Sequence, residues 1–367
     1  MSENNKINKL VILFVPIFVI FCVMLNIYVD KRRKDNQQEV SRKLDETSEN
    51  TSYSWLTSEP VYENDTYICF EDRIVLNYKM NPEQINNVAS YVNGINKQCK
   101  SIERIYVMPV PDQILVNDGY KEQQQQYADL VKGISDTLPD NAEIINPLQV
   151  LKEHTDEYIY FRTDDSWTQT GTYYAFNELA KQMDIDTLSL DNYEKYSYNH
   201  FLGNLVVNNP LLNELNTSYE DDYVEYYNLP DSVNRVEVFA KDDNGEIYSY
   251  KRFLYSEAAS NLGTFVYTSD IRAIVEGESI QEKNKDKYLL VICDEAGKVI
   301  VPFLKDYYDG IYVVNIALDD NFYEDINNIV KEYNISEVLY IQKSMRIGDS
   351  GYSKALNDFR REDSSNE

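Results

Sequence analysis

The sequence predicts an α/β fold: a parallel sheet between two layers of helices, carrying an antiparallel insertion and preceded by one apolar helix. Three observations predict it. Short β-type runs alternate with amphipathic helical runs in two stretches, about 60–183 and 288–341. Their connections are short, so consecutive strands cross over with a right hand and lie parallel. Between these stretches, residues 205–285 change to alternating apolar runs around Asn244-Gly245, the signature of a β-hairpin with a type I′ turn.

Taken in order, residues 1–9 form a short tail. Residues 10–29, LVILFVPIFVIFCVMLNIYV, are uncharged, and twenty residues of helix cross a bilayer core of about 30 Å. A cleaved signal peptide would have an apolar core of about 7–15 residues ending at a small-residue cleavage site, so an uncleaved anchor is the expectation. Lys6 and Lys9 precede it, and Lys31, Arg32, Arg33 and Lys34 follow it. Counting these charges puts the large domain in the cytoplasm, whereas long domains translocate regardless of flanking charge. Both orientations therefore stay open. Residues 30–58 are polar and read as a tether, residues 59–345 as the folded domain, and residues 346–367 as a polar tail that frays from about 355.

Within the domain, a helix is expected over 82–99, opened by Pro82, with Ile85, Val88, Val92, Ile95 and Cys99 on one face. A buried strand at 105–110 follows, then a helix over 120–138 with Tyr127, Leu130, Val131, Ile134 and Leu138 inward. Strands at 142–145 and 157–161 precede a helix over 168–183. After the insertion, strands at 288–293, 311–316 and 337–341 alternate with helices at 297–306 and 321–333, the latter with Phe322, Ile326, Ile329, Val330 and Tyr333 inward.

Composition excludes several functions. The 367 residues carry a net charge of −27. Residues 1–34 hold six basic and two acidic side chains, so the remainder carries −27 − 4 = −31. Such a surface repels phosphate backbones, which argues against nucleic acid as a partner. His154 and His200 are the only histidines, which rules out a three-histidine zinc site. Cys22, Cys69, Cys99 and Cys293 form no CxxC pair, so neither a zinc ribbon nor a disulfide scaffold is expected. No cofactor is expected.

In an open parallel sheet, chemistry sits beyond the C-terminal strand ends. Two segments fit that place: YIYFRTDDSWTQTGTYYAF at 158–176 and YLLVICDEAGKVIVPFL at 288–304. The first contains Phe161-Arg162-Thr163-Asp164-Asp165-Ser166-Trp167-Thr168, then Gly171-Thr172-Tyr173-Tyr174-Ala175. Later come Phe201-Leu202-Gly203-Asn204-Leu205, Cys293-Asp294-Glu295 and Pro302-Phe303-Leu304, with Val110-Pro111 near the start. In content, order and spacing these segments resemble the DHHW family of bacterial envelope proteins, over about 60–345. That family is related to the SGNH-hydrolase-like domains of alginate O-acetylation proteins. The resemblance implies a three-layer SGNH-like fold. It also implies acetyl-ester hydrolysis or O-acetyl transfer by a Ser, a His and an orienting Asp.

Carried over by position, the Asp is Asp164, the His position is Ser166 and the nucleophile position is Glu295. Arg162, Thr163, Asp165, Trp167, Gly203 and Asn204 complete the motif. Ser166 does not titrate near neutral pH and is no general base, and Glu295 does not replace an acyl-carrying serine. The residues at these positions therefore predict a degenerate site, and the resemblance implies a cell-surface protein, single-pass in the plasma membrane with its domain outside. Its setting by resemblance is envelope or exopolysaccharide modification, where it binds a polysaccharide or the acetylation machinery. The alternative is an active O-acetyltransferase or esterase using unorthodox residues, with His154 or His200 as base or Ser350 of Gly348-Asp349-Ser350 as nucleophile. A further reading is a cation site at Asp164, Asp165, Asp294 and Glu295, hard oxygen ligands suited to Ca²⁺ or Mg²⁺, against a solvated acidic rim. The 32 tyrosines suit sugar-stacking platforms or half-buried strands equally.

Overall fold

The computed structural model describes residues 54–207, 209–215, 217–242, 244–254 and 271–364. The anchor expected at 10–29 lies outside these residues. Among the described residues, no helix is long and apolar enough to cross a membrane.

Three short strands, β1 (Tyr62–Glu63), β2 (Tyr67–Cys69) and β3 (Ile74–Leu76), form a small antiparallel sheet. Helix α1 (Glu83–Gln98) then leads into β4 (Arg104–Val110), and α2 (Lys121–Thr137) into β5 (Ala142–Ile144). Helices α3 (Leu148–Glu153) and α4 (Gln169–Gln182) flank the motif segment. Strand β6 (Glu194–Phe201) precedes the insertion, which holds α5 (Pro210–Leu215), β7 (Asp222–Asn228), β8 (Arg235–Lys241), β9 (Ile247–Phe253) and β10 (Arg272–Glu276). Then come β11 (Tyr288–Cys293), α6 (Val301–Leu304), β12 (Gly310–Asn315), α7 (Phe322–Glu332), β13 (Ile335–Lys343) and α8 (Lys354–Ser364).

The main sheet has the order β5-β4-β13-β11-β12-β10-β8-β9. Its first five strands are parallel. Residues 289–293 of β11 and all of β12 are buried, as expected for strands covered on both faces by helices. Strands β10, β8 and β9 extend the sheet antiparallel from β12. The insertion is therefore partly a continuation of the main sheet, which is mixed rather than parallel throughout. Strands β6 and β7 form a separate ribbon.

Three expectations need correction. The 157–161 run is no strand; it contributes one isolated bridge, Tyr160 to Trp167, because its backbone turns into the motif loop. The β8–β9 connection spans five residues, since Lys241 pairs with Ile247. The Asp242 carboxylate closes it by accepting the N–H groups of Asn244 and Glu246, and Gly245 takes a left-handed φ of 82°. The polar tail expected to fray from about 355 instead holds α8. Ala355, Leu356 and Phe359 are buried there, and Phe359 packs edge-on against Tyr323 at 5.0 Å. Its apolar residues are few and spaced for one helix face, so composition alone reads as polar.

Candidate functional site

The motif loop and the β11–α6 turn meet at the C-terminal rim of the parallel strands. The fully buried Trp167 donates its indole N–H to the Ala296 carbonyl at 3.0 Å, which joins the two segments. Thr168 caps α4 by accepting the Gly171 N–H at 3.2 Å. Phe303 of α6 stacks on Phe176 of α4 at 5.8 Å, which gives Pro302-Phe303-Leu304 a packing role.

The Phe201–Leu205 segment cradles the motif loop. Gly203 N–H donates to Thr163 Oγ1 at 2.9 Å, and Asn204 N–H donates to Asp164 Oδ2 at 2.9 Å. A Cβ on Gly203 would stand 2.3 Å from the Thr163 carbonyl oxygen, so only glycine allows this approach. Asp164 also accepts the Ser166 N–H at 3.0 Å. Burial, and then the neighbouring Asp165 charge, push the Asp164 carboxyl up to about 6.

Arg162 and Thr163 are held by a residue the sequence did not single out. Asp222, at the start of β7, accepts from Arg162 Nε at 3.0 Å, Tyr158 Oη at 2.7 Å, Thr163 N at 2.7 Å and Thr163 Oγ1 at 2.6 Å. Asp222 lies in an acidic run, Glu220-Asp221-Asp222, with no local signal to separate it from surface acids.

The remaining carboxylates are paired. Asp294 Oδ1 accepts the Gly297 N–H at 2.9 Å and Oδ2 the Lys343 N–H at 3.0 Å; burial raises its pKa. Asp165 pairs with the Lys343 ammonium. Burial pushes the Asp165 carboxyl up, but that ammonium beside it wins and holds it low. Glu295 accepts from Asn315 Nδ2 at 3.0 Å and pairs with the buried Lys298 ammonium. Backbone N–H groups and lysines already occupy these oxygens, and among the described residues no group of three or more His, Cys, Asp or Glu side chains is placed to hold a metal ion.

Asp164 and Ser166 lie together in the motif loop, joined by the Ser166 N–H, and Glu295 lies just past β11. The Ser166 hydroxyl is buried and has no hydrogen-bond partner among the described residues. His154 stacks on Tyr174 at 3.5 Å, and its Nδ1 lies 3.0 Å from Glu157 Oε1; neither partner belongs to the rim. His200 lies in β6, and its side chain falls outside the described residues. Ser350 follows Gly348, whose φ is 73°, in turns between β13 and α8 rather than at a strand-to-helix elbow. Sequence reading also missed Lys298, Lys343 and Asp112. Asp112, just past β4, is buried and accepts from Ser344 Oγ at 2.7 Å, and burial raises its carboxyl to about 6.

A family model described as DHHW protein matches residues 49–314. The chain belongs to the DHHW family. Among solved structures, a DHHW family protein from Eubacterium siraeum is similar with a TM-score of 0.64 at 18% identity, covering 82% of this chain and 97% of that one. Bacillus cereus PatB1 with a sulfonyl adduct gives 0.60 at 15% identity, covering 80% and 100%. The O-acetyltransferase domain of Pseudomonas putida AlgJ gives 0.45 at 11% identity, covering 83% and 99%. No curated protein matches the sequence. At these identities the first two likenesses show a shared fold, a mixed sheet flanked by helices.

Proposed function

We propose that this DHHW-family chain is a membrane-anchored cell-surface protein that no longer turns over acetyl esters. It serves instead as a glycan- or partner-binding module in envelope or exopolysaccharide modification. The observation that carries this reading is the condition of the two positions where the chemistry needs a base and a nucleophile. One is Ser166, with a buried hydroxyl lacking a partner among the described residues. The other is Glu295, an acceptor tied to Lys298 and Asn315. Nucleophilic catalysis needs an attacking group within about 3 Å of a base that a third group orients. The uncharged run at 10–29 supports the anchor.

One observation favours the alternative, a retained O-acetyltransferase or esterase activity. Burial and the neighbouring Asp165 charge push the Asp164 carboxyl up to about 6, toward the range of a working general base. An assay separates the two. The solubilised full-length chain, its Asp164→Ala variant and the Ser166→His/Glu295→Ser double variant are compared on an activated acetyl ester. Turnover only in the double variant supports the degenerate reading. Wild-type turnover lost in Asp164→Ala overturns it. Protease accessibility on intact cells tests the outward orientation, and glycan pull-down tests the binding role.

A further inference from the structure

Strand β9 is one edge of the main sheet: it pairs with β8, and among the described residues no strand lies on its other side. Exposed strand edges invite pairing with another chain, and proteins blunt them with short strands, proline or bulges. The opposite edge, β5, is only three residues long. Strand β9 has seven residues, no proline and an unbroken register with β8, from Arg235 opposite Phe253 to Lys241 opposite Ile247.

The strand also carries exposed apolar side chains. Phe253 is 72% exposed, Tyr248 50% and Ile247 45%. Tyr248 stacks on Tyr250 at 6.0 Å, on the face that β8 turns to the core through Val236 and Val238. Ile247, Ser249, Lys251 and Phe253 take the other face. Charge is segregated along the strand: Lys251 and Arg252 stand at its C-terminal end, Asp242 and Glu246 ahead of its N-terminal end. An antiparallel second copy brings basic end to acidic end at both ends at once, whereas a parallel one sets like charges side by side.

We propose that β9 is the seat of a homodimer, pairing antiparallel with β9 of a second copy about a twofold axis at Tyr250. Tyr250 is the middle residue of the seven, so this register alone gives every residue of the strand a partner. Such an interface presents the same patch from both copies and closes on itself. Ile247 lies opposite Phe253 of the second copy, Tyr248 opposite Arg252 and Ser249 opposite Lys251. Directly opposed side chains stand about 5 Å apart on one face of a sheet. The two exposed apolar residues of the outer face therefore cover each other, twice over. Each Arg252 guanidinium meets a tyrosine ring, with Glu246 of the second copy one diagonal step away. The edge N–H and C=O groups of β9 are paired in the same step, and the two main sheets become one.

Disulfide trapping in the solubilised full-length chain tests the register. In a Cys22→Ser background the other native cysteines, Cys69, Cys99 and Cys293, are buried. Ile247→Cys and Phe253→Cys each replace an exposed side chain. Pairing about Tyr250 holds the two copies of either residue about 20 Å apart. Neither variant alone should therefore form a disulfide dimer under mild oxidation, and a mixture of the two should form one. A disulfide dimer from either variant alone, or none from the mixture, overturns the pairing. Sedimentation of the wild type should give a dimer whose dissociation constant rises at least tenfold in Phe253→Glu. A wild type that sediments as a monomer at the trapping concentration overturns the dimer without reference to any variant, and a dimer unchanged by Phe253→Glu removes β9 from its interface.

Discussion

Asp222 accepts both the backbone N–H and the hydroxyl of Thr163, at 2.7 and 2.6 Å. The first residue of β7 in the insertion therefore holds the motif loop in shape. The Asp222 side chain is fully buried and paired with Arg162. Asp222→Ala should cost roughly 3–5 kcal/mol, because it strands a partly buried guanidinium. Urea unfolding monitored by tryptophan fluorescence would report it, and a loss under about 1 kcal/mol would reduce Asp222 to an ordinary surface acid.

Gly203→Ala tests the cradle. The added methyl would meet the Thr163 carbonyl oxygen at 2.3 Å and the Asp164 Cβ at 2.5 Å. Neither is the end of a flexible side chain, so one segment must move. A destabilisation of about 1–3 kcal/mol is expected in calorimetry. An unchanged melting temperature would mean that the two segments are not in contact.

Stability should respond to pH through Asp164. Its carboxyl rises from 3.8 to about 6 in the fold, so between those values the native state binds more protons than the unfolded chain. The contribution of this group is complete below the unfolded pKa and is lost as pH rises through the folded one. From about pH 4 to pH 7, the wild type should lose up to about 3 kcal/mol relative to Asp164→Asn, at about 1.4 kcal/mol per unit. Asp165 works in the opposite sense, its folded pKa being depressed, but it is present in both proteins. Parallel stability curves for the two proteins would refute the shift.

Phe359→Ala should expose whether α8 is part of the domain. Phe359 is fully buried and packs on Phe322 and Tyr323 of α7, and its backbone lies over Gly94 of α1. A loss of about 3–5 kcal/mol is expected. A change below about 0.5 kcal/mol, the range of surface substitutions, would return the segment to a frayed tail.

The periodic elements were legible because their signals are local. The 3-4 spacing over 82–99 matches α1, and the apolar run at 288–293 matches β11. The site was legible as segments: Trp167 meets Ala296 and Asn204 meets Asp164. What closes the site was not legible. Lys343 reaches Asp165 across nearly half of the sequence, and Asp222 reaches Thr163 from the insertion. Neither residue sits in a pattern that marks it. Strands β1 to β3 are too short to carry a period, and α8 hides its apolar face among charges.

Strand β13 lies between β4 and β11, pairing Glu337 with Arg104 on one side and Val338 with Leu290 on the other. Among the described residues, β13 is the last strand in chain order and lies inside the sheet. Until it emerges from the ribosome, β4 and β11 each present an unpaired apolar edge to their surroundings. Contacts of such sequence separation form slowly and expose intermediates to aggregation. A nascent chain stopped before residue 335 should therefore remain unfolded and need a chaperone, whereas release of β13 should trigger folding of the domain in one step.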